Sequence, residues 1–193
     1  MARIPGMLFI LISFIPWIVY WTLCGLGLRV GVLISLVIAI ILVAYQARLR
    51  EFNPMDLTSL AYFTAASMAT YIFDLEIFIE RPTFLGYLTL FAMASISIAV
   101  GNPFTLQVSK RDYPERDYPE VYWREKTFLL VNDAISGMWS MIFLLNSITS
   151  ITLGNPYARV VSNTLIAIGI IFSIFLPEKL SAYFLTRDFK RYD

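Results

Sequence analysis

Six stretches of this 193-residue chain contain no Asp, Glu, Lys or Arg: Ile4–Leu28, Val30–Ala47, Leu57–Phe73, Pro82–Ser109, Ala134–Ala158 and Val160–Pro177. Their lengths, 17 to 28 residues, constrain the fold more than any motif does. A bilayer core about 30 Å thick needs about 20 mostly apolar residues in a helix rising about 1.5 Å per residue. Lipid offers no water to backbone N–H and C=O groups, so such stretches fold as helices that satisfy those groups internally. The expectation is an all-α, polytopic membrane bundle of six transmembrane helices. It forms a single domain over residues 1–193, with helices at about 7–26, 29–47, 56–79, 83–102, 127–150 and 160–178 and a cytoplasmic loop at 103–126. Composition agrees: 58% of residues are apolar and 15% charged, where soluble domains carry about a quarter charged. Arg3 before an apolar run imitates a signal peptide, but the run is too long and no small-residue cleavage site follows. It is expected to be the first retained span.

The basic residues sort by side. On one side of the expected bundle lie Arg3, Arg48, Arg50, Lys110, Arg111, Arg116, Arg124, Lys126, Lys179, Arg187, Lys190 and Arg191; on the other lie only Arg29, Arg81 and Arg159. Lys and Arg concentrate in cytoplasmic loops, so both termini are expected in the cytoplasm. Aromatic residues suit this orientation, with Trp17, Tyr20 and Trp21 toward the outer end of the first helix. Tyr45, Tyr122, Trp123 and Tyr183 fall near the cytoplasmic boundary. Pro16 lacks an N–H and implies a kink in the first helix.

Two absences exclude chemistry. There is no histidine, and Cys24 is the only cysteine. Ser-His and Cys-His nucleophilic catalysis, His- or Cys-ligated zinc, bis-His haem and dithiol exchange are all ruled out within one chain. No cofactor and no metal site are expected, and Cys24 is expected to be a small packing residue. Proton or ion chemistry is left to carboxylates, tyrosines and cationic side chains.

Polar residues inside the apolar stretches supply the site candidates. On a helical projection Asp56, Ser59, Ser67, Thr70 and Asp74 fall within an arc of about 80°, with Phe63 among them. The apolar character continues beyond Asp74 through Leu75, Ile77, Phe78 and Ile79, which would hold Asp74 and Glu76 at membrane depth. The alternative is a helix that ends at Phe73 and leaves both as a solvated outer rim. In the fifth helix Asp133, Ser136, Ser140 and Ser147 share a face, with Asn132 beside them. Ionisable groups at membrane depth are costly and mark pathways, whereas Ser and Asn there also serve helix association. Asp74, Glu76, Asp133, Asn132, Ser67 and Ser136 are accordingly the ion or proton pathway candidates.

The loop at 102–126 holds five basic and five acidic residues and a perfect tandem, Arg-Asp-Tyr-Pro-Glu at 111–115 and again at 116–120. Proline disfavours helix in the residue before it, so each copy is expected to turn or extend. Its zero net charge argues against a nucleic-acid or polybasic lipid surface. Arg111, Tyr113, Arg116 and Tyr118 are the candidates for docking a partner. The run Pro103-Phe104-Thr105-Leu106-Gln107, a charged aromatic loop, Val131-Asn132 and a helix with Trp139 resembles small multi-span prokaryotic membrane proteins of unassigned function. The resemblance implies an inner (plasma) membrane location and brings no activity with it.

Three functions follow as expectations. The first is a small transporter or channel component using the polar faces of the third and fifth helices. The second is a structural or assembly subunit that docks through loop 102–126. Its partners are the lipid bilayer and either a second copy or another subunit of a membrane complex, with no nucleic acid. The third is a lipid-active enzyme using carboxylates, although no Gly-rich phosphate loop or Asp-rich metal motif is present.

Overall fold

The computed structural model describes residues 6–49, 52–112, 125–153 and 155–189. Among these no strand occurs. The elements are α1 (Gly6–Ser13), α2 (Ile15–Gly25), α3 (Val30–Leu49), α4 (Pro54–Tyr71), α5 (Ile77–Glu80), α6 (Pro82–Ala99), α7 (Phe104–Asp112), α8 (Lys126–Thr152) and α9 (Asn155–Phe189). Among the described residues, five helical segments are long and apolar enough to cross a membrane: Leu8–Gly25, Val30–Leu49, Pro82–Ala99, Lys126–Thr152 and Tyr157–Ser181. The helix α4 is as long as α6 but richer in Ser, Thr and Asp, and is not one of the five.

The first expected helix is interrupted only at Phe14, whose backbone stays helical (φ −81°, ψ −15°) and whose N–H still reaches the Ile10 carbonyl at 3.1 Å. Phe14 separates α1 from α2, and Pro16 sits in the first turn of α2, where its missing N–H costs least. Two glycines end helices in the left-handed region: Gly27 at φ +78° and Gly101 at φ +71°. At the first, the Leu28 N–H returns to the Leu23 carbonyl at 3.0 Å; at the second, the Asn102 N–H returns to that of Ser97 at 2.9 Å. Gly27 closes a tight hairpin between α2 and α3. The Gly31 Cα then packs so near Cys24 that an added Cβ would stand 2.9 Å from the sulfur.

The helix α3 packs on α2 and α4, α4 on α6, α6 on α8, and α8 on α9. The core where α2, α4, α6 and α8 meet is aromatic. Trp17 lies 5.0 Å from both Tyr62 and Phe63, Trp21 lies 4.4 Å from Tyr87, and Tyr87 stacks on Phe143 at 6.4 Å between ring centroids. Trp17 and Tyr20, expected in an interfacial belt, are fully buried because each has a hydrogen-bond partner inside the bundle. The large apolar side chains of α3 and α9 face outward instead, among them Val37, Ile40, Ile41, Ile171, Ile174 and Phe175. That inversion of the soluble pattern suits a lipid solvent.

Several expected boundaries move, and the sixth helix, expected at about 160–178, is α9 over Asn155–Phe189. The third helix ends at Tyr71 rather than about 79, because Asp74 takes a left-handed backbone (φ 51°) and the Leu75 N–H turns back to the Ala69 carbonyl at 2.9 Å. The loop expected at 103–126 begins with a helix, α7, which lies across α1 and α8. Its described part runs to Asp112, and the rest of the tandem lies outside the described residues.

Candidate functional site: a buried polar column along α4

The column starts where α4 starts. Asn53 is extended (φ −99°, ψ 128°), its side chain accepts the Met55 N–H at 3.2 Å, and Pro54 follows in the first turn. This cap places Asp56 in the first turn, where a carboxylate complements the helix dipole. Asp56 is nevertheless 0% exposed. Its Oδ2 accepts from Gln46 Nε2 of α3 and lies 2.9 Å from the Ser13 hydroxyl of α1. That hydroxyl also lies 3.1 Å from the Phe9 carbonyl, so one proton is shared between two acceptors. Gln46 Oε1 accepts the Asn53 N–H at 2.9 Å, and Asn53 Nδ2 reaches the Ser13 oxygen at 3.3 Å. Four polar residues from three helices and a loop thus lock together. The second carboxylate oxygen, Oδ1, is buried and accepts no hydrogen bond. The guanidinium of Arg111, on α7, lies 3.4 Å over the Phe9 ring, and its charge acts on Asp56.

One turn along α4, Ser59 accepts from Trp17 Nε1 at 2.7 Å and donates to the Met55 carbonyl at 2.8 Å. A further turn on, the Tyr62 and Tyr20 hydroxyls meet at 2.8 Å. Tyr20 gives its proton to the Phe78 carbonyl at 2.6 Å, so Tyr62 is the donor within the pair. Beyond them Ser67 and Thr70 are buried with hydroxyls that make no hydrogen bond. On α3, Ser35 is in the same state. Since Gln46 faces Asp56 in this antiparallel pair, stepping three turns along both helices sets Ser35 opposite Ser67. The polar arc of α4 therefore faces the bundle interior over its whole length.

Of the residues singled out in the sequence, Ser67 belongs to this column. Asp74 and Glu76 do not: they lie in the α4–α5 link, with Asp74's side chain 82% exposed, and both pair with Arg29 of the α2–α3 turn. These bonds, Glu76 first and then Asp74, raise the Arg29 pKa above its ordinary range. Asn132 and Ser136 are buried, but they hold α7. The Thr105 hydroxyl meets the Asn132 carbonyl at 3.0 Å and Ser136 Oγ at 2.8 Å, while Ser109 donates to Asn132 Oδ1 at 2.9 Å. Asp133, beside them, is half-buried, with Oδ1 shielded and unbonded. Arg111 faces α1; Tyr113, Arg116 and Tyr118 lie outside the described residues.

Asp56 was legible only as one member of an arc. Its partners were legible only as types: Gln46 is the single amide in the second charge-free stretch, and Asn53-Pro54 reads as a helix start. Nothing local in the sequence says that Gln46, Asn53 and Ser13 converge, because that depends on the α3–α4 turn and on how α1 packs beside it. Among the described residues no three metal-ligating side chains gather. The chain is a helical protein with spans fit for a membrane. Compared with known proteins, it matches no family model, no curated protein and no solved structure.

Proposed function

We propose that this protein is a small transporter or channel component, that it crosses the inner membrane of a prokaryote six times with both termini cytoplasmic, and that the interior face of α4 is its pathway. One observation carries the reading: a carboxylate, Asp56, is wholly buried at the head of a polar column, with one oxygen that no protein group satisfies. An ionisable group inside a membrane bundle costs about 2.5–3.5 kcal/mol on insertion scales and is kept where an ion or proton uses it. Ser59, the Tyr20–Tyr62 pair, Ser67 and Thr70 supply exchangeable protons along the same face. Asp133, at the seat of α7, is a second carboxylate within reach of that end of the bundle.

The test is flux into proteoliposomes, followed with entrapped pH- and cation-sensitive dyes. Asp56→Asn is expected to lower the flux at least about tenfold while the protein still inserts and purifies. Asp74→Asn and Glu76→Gln, on the exposed link, are expected to leave it unchanged. Flux that survives Asp56→Asn overturns the reading.

A second reading, an assembly subunit, is favoured by α9. This helix is held chiefly by α8, and only 11% of its spanning segment is buried. Deleting one Arg-Asp-Tyr-Pro-Glu copy would then weaken co-purification of a membrane partner. A protein that purifies alone and ignores the deletion rejects it.

A further inference from the structure

The donor set around Asp56 selects among the species that a buried carboxylate can bind. We infer that Asp56 takes up a proton on Oδ1 and that it does not bind a metal cation. The inference deepens the transport reading and rests on the same column, but it assigns the bound species and not the flux.

A bound metal cation needs several oxygens whose lone pairs converge on it. Around Asp56 the amide oxygens are already committed. A backbone N–H can only donate, so the Asn53 N–H fixes Gln46 with its Oε1 toward Asn53 and its Nε2 toward the carboxylate. In the same way the Met55 N–H fixes Asn53 Oδ1, which leaves Nδ2 facing Ser13. With its oxygen receiving the Asn53 Nδ2 hydrogen, Ser13 offers its own hydrogen to the carboxylate and to the Phe9 carbonyl, the carboxylate being the nearer. The site is therefore walled by N–H and O–H groups, and the charge acting on it from α7 is the positive one of Arg111. A cation at Oδ1 would gain one ligand and meet that charge.

A proton has none of these requirements. When it binds, an O–H bond forms at Oδ1, the negative charge is neutralised, and Oδ2 keeps both donors, so no hydrogen bond in the cluster breaks. Among the described residues, Asp133 of α8, half-buried at the seat of α7, is the other carboxylate at this end of the bundle, and Asp56→Asn separates its signal from that of Asp56. The helices α1 and α6 carry no charged residue, and on α3 Tyr45 and Arg48 are exposed. On α4 the nearest titratable group is Tyr62, already hydrogen-bonded to Tyr20 of α2; α7 carries Lys110, Arg111 and, as its last residue, Asp112.

Infrared difference spectra between acid and alkaline pH, taken on the full chain in phosphatidylcholine nanodiscs with N-methylglucamine as the counter-cation, test this. The expected spectrum has a carboxylic-acid C=O band that shifts in D2O and is missing in Asp56→Asn. Ser13→Ala keeps the carboxyl but removes a donor to Oδ2, so it is expected to displace the frequency of the band; this variant assigns the band even if Asp56→Asn fails to fold. Adding NaCl or KCl at fixed pH is expected to leave the band in place. A band that persists in Asp56→Asn, a band that Ser13→Ala does not move, or a band titrated away by Na⁺ or K⁺ overturns the inference. Flux without the band ends the inference and leaves the transport reading standing; the band without flux does the reverse.

Discussion

Asn53 closes the cluster from three directions: its Oδ1 caps Met55, its Nδ2 reaches Ser13, and its backbone N–H holds Gln46 in the orientation Asp56 needs. Losing an N-cap typically costs about 1 kcal/mol, and here a buried Ser13 contact goes with it. Asn53→Ala is therefore expected to lose about 1–2 kcal/mol in denaturant or thermal melts in detergent. The Arg29 clasp offers the contrast. It joins three charged residues, but Arg29 is half-exposed and Asp74 almost wholly so, and water screens such pairs. Its pH behaviour follows from Arg29, whose folded pKa is raised. Such a group stabilises fully below its unfolded value and loses that stabilisation only as pH rises through the still higher folded value. Across the neutral range Arg29 should thus add no slope to stability, and Arg29→Gln should leave the melting temperature unchanged at low and high salt. A loss as large as that of Asn53→Ala would show the clasp to be structural.

The helix α9 meets α8 at one especially close approach. A Cβ on Gly169 would stand 2.7 Å from Ile142 Cδ1 and 3.1 Å from the Trp139 ring. The same strip holds the bond from Trp139 Nε1 to Ser173 Oγ at 2.9 Å. Overpacking at such a contact costs about 1–3 kcal/mol, and α9 is held chiefly by α8 along this strip. Gly169→Val is expected to lower the melting temperature and to speed proteolysis between α8 and α9, whereas Gly25→Val, with open space at its Cβ, should do neither. Gly169 is one of several small residues in an apolar stretch, and the sequence does not show which of them meets a neighbour. Helix existence was more legible, because charge-free stretches of 17 residues or more have few alternatives in lipid. Helix ends were less so. Leu75, Ile77, Phe78 and Ile79 read as a continuation of the third helix, but the positive φ of Asp74 ends it and α5 restarts the apolar run. The helix α7 was hidden by its position in a loop dense with charge and proline, where contacts to α1 and to Ser97, Asn132 and Ser136 hold it as a helix.

The number of crossings turns on α4. Its 18 residues span about 27 Å, close to the thickness of a bilayer core. It runs antiparallel to α3 and stays beside it from end to end: Gln46 meets Asp56 at one end, and Arg29, just before α3, meets Asp74 and Glu76 at the other. An α3 that crosses therefore obliges α4 to cross beside it. The polarity that keeps α4 from looking like a span is the polarity it turns inward. Phe52 and Glu76, at its two ends and both exposed, should then lie on opposite sides of the membrane. Cysteine substitution reports this directly, since the native Cys24 is buried and shielded from label. In right-side-out vesicles a membrane-impermeant maleimide is expected to label Glu76→Cys and Tyr157→Cys. Phe52→Cys and Glu125→Cys should react only after permeabilisation, in line with the twelve-to-three division of basic residues. Labelling of Phe52→Cys and Glu76→Cys from one face would leave α4 outside the bilayer, and the column would then lose its standing as a path across it.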